Sequence, residues 1–365
     1  MKRYVAYGIG AALVDTEIKV EDVELEHMSV GKGLMTLVDE ARQGELLTML
    51  EGHLVKASHA SGGSAGNSMI ATAQFGGRTF MSCKVADDAD GDIYIADLEA
   101  AGVDHCLNGQ RAPGTTGKCL VMITPDAERS MNTFLGVSET LSTEQLDAEA
   151  LAASEYLYIE GYLVTSPSGR AAAVRARELA EAAGVKTALS FSDPGMVEFF
   201  REGMEQIIGN HLDLIFCNEA EALGWADTDS IGVAIERLKQ IATTFVITRG
   251  AEGAITFDGS ELAEIPPHRV HAVDTNGAGD MFAGAFLYAI TRGEDFPTAG
   301  RFASLAAGQI VASYGPRLAA DAYPARRAEF CGDEKRAIWR STISLKEVPT
   351  KPRMPSATGS NCRST

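Results

Sequence analysis

The chain has 365 residues, 45% of them hydrophobic and 22% charged, with a formal net charge of −18 and a pI near 4.8. Such a chain can bury one large core with an accessory piece, but it is too acidic for a broad nucleic-acid interface, which needs clustered Lys and Arg. No run approaches the ~18 apolar residues of a membrane span, and six cysteines (83, 106, 119, 217, 331 and 362) without C-x-x-C spacing point to reduced thiols in a cytoplasmic protein.

The opening stretch, Met1 to Gly10, reads as a core strand; its apolar run is too short for a signal peptide and lacks a small-residue cleavage site. Glu17 to Met28 and Asp104 to Phe134 are charged and alternating, without helical spacing. They are expected to form hairpins that project as a small antiparallel sheet, a lid drawn from about residues 16–60 and 104–135. Decorative surface hairpins would give the same pattern.

From Ser154 to Phe257 the pattern changes to alternating β-rich runs and amphipathic stretches. Strands are expected at Leu157–Ile159, Thr187–Phe191, Asp213–Cys217 and Thr244–Thr248, with helices at Gly169–Ala183, Met196–Ile208 and Ile231–Ala242. Right-handed crossovers would stack those helices on a parallel sheet, giving a doubly wound α/β core. Residues 1–330 are expected to make one domain. After Phe330 the chain turns to Pro, Lys, Ser and Thr, as in Lys346 to Ser356, and residues 331–365 are expected to be a disordered tail.

Near the end of the domain, Asp274-Thr275-Asn276-Gly277-Ala278-Gly279-Asp280 joins a strand-like ending to an apolar helix. Small residues at 277–279 allow a tight turn, and the free N–H groups of the following helix can hold an anion there. Asp280 is out of place beside a phosphate unless it has work to do, since like charges repel. Taking a proton from an attacking hydroxyl is such work; capping the helix is the plainer alternative.

Neither common nucleotide fingerprint is present: there is no G-x-x-x-x-G-K-[ST], and Gly8-Ile9-Gly10-Ala11-Ala12-Leu13 lacks the third glycine of the dinucleotide motif. The 274–280 stretch resembles the C-terminal signature of the ribokinase-like (PfkB) carbohydrate and nucleoside kinases, and Gly62-Gly63-Ser64-Ala65-Gly66-Asn67-Ser68 resembles their first signature. The two stand in the family's order, and the resemblance extends over roughly residues 1–325, most closely to the adenosine kinase branch. It implies a ribokinase-like, mostly parallel sheet flanked by helices, with a small β lid.

Residue by residue, the resemblance implies that Asp280 is the catalytic base and that Gly277, Ala278 and Gly279 form the anion hole. Gly62, Gly63, Ser64, Asn67 and Asn276 would face the sugar, and Asp15 would accept its vicinal hydroxyls. Ala11 stands where the adenosine kinase branch carries Asn. Asn218 and Glu221, on one face of an opening helical turn, would hold Mg²⁺ through its waters. Thr248, Gly250 and Gly253 would lie under the ATP phosphates, while Ser304 and the stretch to Gly315 would meet adenine and, in some members, K⁺.

Cys119, Leu135 and Tyr162 would line the acceptor pocket, though Tyr162 serves equally as a core tyrosine. If the 116–119 stretch is a strand, Cys119 turns inward and Lys118 outward; an inward Lys118 would instead suit a charged acceptor such as a sugar phosphate. The activity implied is transfer of the ATP γ-phosphoryl group to a primary hydroxyl, adenosine being the favoured acceptor. A sugar kinase for ribose or fructose, an inosine or guanosine kinase, and a catalytically silent nucleoside sensor are the alternatives. No nucleic-acid or membrane partner is expected, and the molecule would be a monomer or a homodimer paired through the lid.

Overall fold

In the computed structural model, residues 2–325 are described apart from 55–57, 108, 110, 127 and 320. The expected tail, with Cys331 and Cys362, lies outside them. The described strands in chain order are β1 (Tyr4–Ile9), β2 (Leu13–Lys19), β3 (Met35–Leu37), β4 (Ser58–Gly62), β5 (Thr79–Ser82), β6 (Val103–His105) and β7 (Gly117–Ile123). They continue with β8 (Arg129–Phe134), β9 (Ser154–Glu160), β10 (Lys186–Ser190), β11 (Leu212–Asn218), β12 (Ala242–Thr248), β13 (Ala254–Phe257) and β14 (Leu262–Ile265).

The larger sheet has the order β14-β13-β12-β11-β10-β9-β1-β5-β6. It is parallel from β6 to β12, and the β12–β13–β14 edge is antiparallel. Its central strands are buried on both faces, which is why they read as nearly continuous apolar runs. Successive residues serve opposite cores: Leu157 and Ile159 of β9 join the cluster containing Tyr7, Ile215 and Phe245, while Tyr156 and Tyr158 join that of Phe216, Phe282 and Phe286. The four strands expected between 154 and 257 are all present.

The expected helices needed adjustment at two ends. Met196–Ile208 divides into Pro194–Phe199 and Arg201–Ile208 at Phe200, whose φ of −123° and ψ of 26° leave the helical region. The third stops at Leu238, and Ala242 already opens β12.

Strand order reverses at β1. The chain runs from it to β5 and β6 on one side, then returns to β9 on the other, which leaves a crevice beyond the C-terminal ends of β1 and β9. Ligands of open α/β sheets bind at such switch points. Two helices converge there: α1 (Ser64–Gln74) and, near the end of the fold, α4 (Ala278–Thr291). Between them in sequence lie α2 (Ala89–Ala101) and α3 (Glu219–Ala226), and α5 (Phe296–Val311) packs beside α4.

The smaller sheet, order β3-β8-β7-β2-β4, covers the crevice. The expected small antiparallel sheet is present in the β2–β4 pair and the β7–β8 hairpin, but it is mixed, since β2–β7 and β3–β8 are parallel. Leu13 and Gly117 are paired at the start of β2 and β7, so both strands leave the core side by side and run outward together. A parallel pair needs a long crossover, and residues between β2 and β7 supply it. Nor does Glu17 to Met28 stay extended: Asp22–His27 is a helix, opened by a reciprocal Glu21–Glu24 capping box and an acidic first turn.

Candidate active site

The floor of the crevice is set by Glu160, the last residue of β9. Its buried carboxylate accepts hydrogen bonds from the amides of Ala11 (3.2 Å) and Ala65 (2.8 Å), joining the β1–β2 turn to the start of α1. Burial drives its pKa up to about 7, against the pull of those two amides. A Cβ on Gly10 would stand 2.4 Å from Glu160 Oε2, so the turn needs glycine there.

Asp15 projects from β2 and is 7% exposed. A Cβ on Gly62 would come within 2.1 Å of Asp15 Oδ1, which makes Gly62 the space that the carboxylate occupies. Burial, helped by the charges of Glu17 and Asp280 and opposed by Arg317, raises Asp15 to about 7.

The N-termini of α1 and α4 meet at Asp280. Ser64 Oγ donates to Asp280 Oδ1 (2.7 Å), and Asn67 Nδ2 donates to Asp280 Oδ2 (3.0 Å). Burial pushes the Asp280 pKa above the ordinary carboxylate range, while those two hydrogen bonds and the charges of Arg129 and Arg317 pull it down. Gly277 caps α4 with φ of 71°, packed so closely on Pro316 that a Cβ would lie 2.7 Å from the proline Cα. A Cβ on Gly279 would meet no protein atom within 4 Å, so its open side faces the cavity. Asp274 folds the preceding turn, accepting from Asn276 N (2.8 Å) and Gly315 N (3.1 Å), and Asn276 Nδ2 reaches Glu17 Oε1 at 3.3 Å.

On the far side, Asn218 and Glu221 form a reciprocal capping box at the head of α3: Glu221 N to Asn218 Oδ1 (2.8 Å), Asn218 N to Glu221 Oε2 (2.9 Å) and Asn218 Nδ2 to Glu221 Oε1 (2.8 Å). Burial raises Glu221 to about 7. Among the described residues no group of three or more His, Cys, Asp or Glu side chains could cage a metal. One buried carboxylate at the cavity wall nonetheless suits a magnesium ion that keeps its waters and is bound mainly by phosphates. Thr248, Gly250 and Gly253 form the β12–β13 turn against the same cavity. Ser304 on α5 accepts from His268 N (3.1 Å) and donates to Pro266 O (3.1 Å), so its hydroxyl pins the 266–268 loop.

The lid end is apolar. Cys119 is buried and faces the cavity, accepting from Thr133 Oγ1 at 3.3 Å, and burial raises its pKa. Lys118 points the other way, paired to Asp90 at 2.7 Å, as period-two alternation requires. Leu135 and Tyr162 join Met35, Leu37 and Met131 along this wall. Tyr162 packs on the core as well, its hydroxyl 3.3 Å from Ser192 O.

These groups share one cavity of about 700 Å³, within the usual range for small-molecule sites. Of the site residues expected from sequence, all line it except Gly62, which sits behind Asp15. Three others were missed. Glu160 looks like a buried strand end. Arg129 reaches from β8 to Thr275 O (2.8 Å) in the glycine-rich turn; alternation with Met131 and Thr133 could have placed it inward. Arg317, which contacts Asn67, has no local signal in the sequence.

A doubly wound sheet whose switch point is covered by a β lid is the ribokinase-like arrangement, the fold of phosphotransferases with an alcohol group as acceptor. Residues 28–322 match the model of the pfkB family of carbohydrate kinases, and the chain belongs to that family. Two solved structures are similar throughout. One is a probable sugar kinase protein from Rhizobium etli CFN 42, 32% identical with a TM-score of 0.85, covering 90% of this chain and 100% of that one. The other is the adenosine kinase from Sinorhizobium meliloti, 34% identical with a TM-score of 0.84, covering 89% and 99%. The adenosine kinase of Schizophyllum commune is 29% identical over 327 residues, 81% of this chain and 91% of that one. Among the described residues no helix is long and apolar enough to cross a membrane.

Proposed function

We propose that this kinase transfers the γ-phosphoryl group of ATP to the 5′-hydroxyl of a nucleoside, adenosine being the acceptor favoured. The observation that carries the reading is the chamber beside Asp280, where a carboxylate for vicinal hydroxyls, Asp15, gives way to an apolar wall of Met35, Leu37, Met131 and Leu135. A free pentose has little to offer that wall; a purine fills it. The adenosine kinases among the relatives agree with this. Outward-facing Lys118 removes the support for a phosphorylated sugar.

In this reading the ribose hydroxyls bind Asp15, and the 5′-oxygen lies near Asp280, which Ser64 and Asn67 hold in place. Asp280 accepts the hydroxyl proton late, once the oxygen has begun to bond phosphorus and has become acidic. Amides of Gly277, Ala278 and Gly279 steady the phosphoryl oxygens, with Arg129 close to the same turn. Thr248, Gly250, Gly253 and Ser304 line the ATP side. Asn218 and Glu221 would hold Mg²⁺ through water, and the ion would neutralise the β and γ phosphates. Potassium has no part in the reading.

The test is ATP consumption with adenosine, inosine, guanosine, ribose and fructose, run beside binding measurements. Turnover of adenosine above the rest is expected. Turnover of ribose or fructose alone would overturn the nucleoside assignment, and binding without turnover would make the molecule a sensor.

A further inference from the structure

Four residues beyond α5, Tyr314 to Arg317, run across the glycine-rich turn and bind three parts of the site at once. Tyr314 lies under Lys19 of the lid strand β2, with the ammonium 3.9 Å from the ring centroid. Gly315 N donates to Asp274, and Pro316 packs on Gly277. Arg317 then spreads its guanidinium: Nε to Asn67 Oδ1 (3.3 Å), Nη2 to Ser61 Oγ (2.6 Å) and Nη1 to Asp97 Oδ2 (3.4 Å). Asp97 Oδ2 also accepts from Ser61 N at 2.9 Å, which closes the network.

We propose that Arg317 is a positioning residue for phosphoryl transfer, acting through Asn67 to hold Asp280 in place and setting a positive charge behind the Asp15–Asp280 pair. The proposal rests on the reading of Asp280 as the base. An asparagine amide has two ends of nearly equal shape but opposite character. Guanidinium only donates, so Arg317 requires the oxygen of Asn67 and commits its NH₂ to Asp280. Without it the amide can turn and offer Asp280 an oxygen, which repels a carboxylate.

The charge matters for the same reason. Asp280 interacts with Asp15 on β2 and with Glu160 and Tyr158 on β9, Glu17 stands beside Asp15, and Asp97 of α2 lies behind Arg317. Against them stand two guanidiniums, Arg129 on β8 and Arg317. Both hold the Asp280 pKa down, so loss of either should move the acid limb of the rate upward.

The experiment is the pH dependence of kcat and kcat/KM for full-length wild type, Arg317→Gln and Arg317→Lys, with ATP and adenosine. Arg317→Gln should lower kcat by about tenfold or more at pH 7, move the acid limb up by about one pH unit and leave the KM for ATP within about twofold. Arg317→Lys keeps the charge but not the fork, so its limb should stay near that of wild type while kcat falls to an intermediate value. In an Asp280→Asn background, Arg317→Gln should add almost nothing, because the two act as one unit.

An unmoved limb in a folded Arg317→Gln protein, or losses that multiply in the double variant, would overturn the proposal. Should Arg317→Gln fail to fold, Ser61→Ala removes one anchor without changing charge. It should lower kcat a few-fold, and wild-type kcat there counts against Arg317. A nearly normal rate in Asp280→Asn alone would defeat the reading of the base itself; a dead Asp280→Asn beside an unaffected Arg317→Gln would defeat only the role of Arg317.

Discussion

The two ends of the cavity are built in opposite ways. At the end proposed for phosphate one contiguous run supplies the turn and the proposed base: Asp274 folds the turn, Gly277 adopts φ of 71° against Pro316, and Asp280 sits in the first turn of α4. At the end proposed for the acceptor no run longer than a few residues contributes; Asp15, Met35, Cys119 and Leu135 come from separate segments that meet through pairing of the smaller sheet, and Tyr162 follows β9 of the larger one. In the proposed reading, backbone geometry therefore fixes the chemistry, and side chains drawn mainly from a separate sheet select what it acts on. Changes at the first end should strike turnover, and changes at the second should strike affinity.

Asp280→Asn gives the largest effect. It preserves volume and can still face Ser64, but it cannot take a proton, so kcat should fall by about 10²–10⁴ with nucleotide binding retained. Single-turnover kinetics beside ATP titration checks this. Turnover near that of wild type would remove the division between the ends, since the turn would then be only a helix cap.

The same contrast explains how much could be read from the sequence. The glycine-rich turn was legible because its residues are neighbours and each type has a reason: Gly for positive φ, a small Ala278, an acid in the first turn. The parallel core was legible because β9 to β12 alternate with helices at regular intervals. Lid pairing was not, since β2 and β7 pair across a sequence separation of just over a hundred residues, and local alternation says nothing about parallel or antiparallel. Alternation did put Cys119 and Lys118 on opposite faces, and of the two orientations left open the structure has Cys119 inward. Arg129 obeys the same rule but carries a charge, which directs attention to solvent, and Arg317 matters only through contacts with Ser61, Asn67 and Asp97.

Asp15→Asn comes next and should separate affinity from stability. Losing charged hydrogen bonds to the acceptor hydroxyls should raise its KM by about 10–100-fold, with kcat changed less. The free protein should respond the other way. The folded pKa of Asp15, about 7, lies above its ordinary 3.8, so protonated Asp15 favours folding. That contribution is fully present below pH 4 and is lost as pH rises through 7. Above pH 7 the Asn variant should be more stable than wild type by on the order of 2 kcal/mol, and near pH 4 the two should agree. Denaturation of both proteins at the two pH values decides it. Equal stability at pH 8 would mean that Asp15 ionises freely in the folded state.

Gly62→Ala is a smaller change with a sharper target. The new Cβ would overlap the Asp15 carboxylate while leaving the glycine-rich turn alone. The acceptor KM should rise by up to about tenfold, with kcat nearly preserved. A fall in kcat with KM unchanged would show that the two ends are mechanically joined.

The mildest effect concerns motion of the smaller sheet. The amides of β2 and β7 are paired along their length, yet that sheet reaches the core through few elements, so ligand binding should reduce its opening. Adenosine should slow hydrogen exchange in β2, β7 and β8 by a few-fold, whereas exchange in β9 to β11, already locked between two buried faces, should not change. Arg129 gives the effect a direction: it joins β8 to Thr275, so ATP alone should protect the Arg129 end of β8 before adenosine protects the Cys119 end of β7. Equal slowing of both ends by either ligand would indicate a lid that closes as one rigid piece, and the division between phosphate and acceptor ends would then hold for chemistry but not for motion.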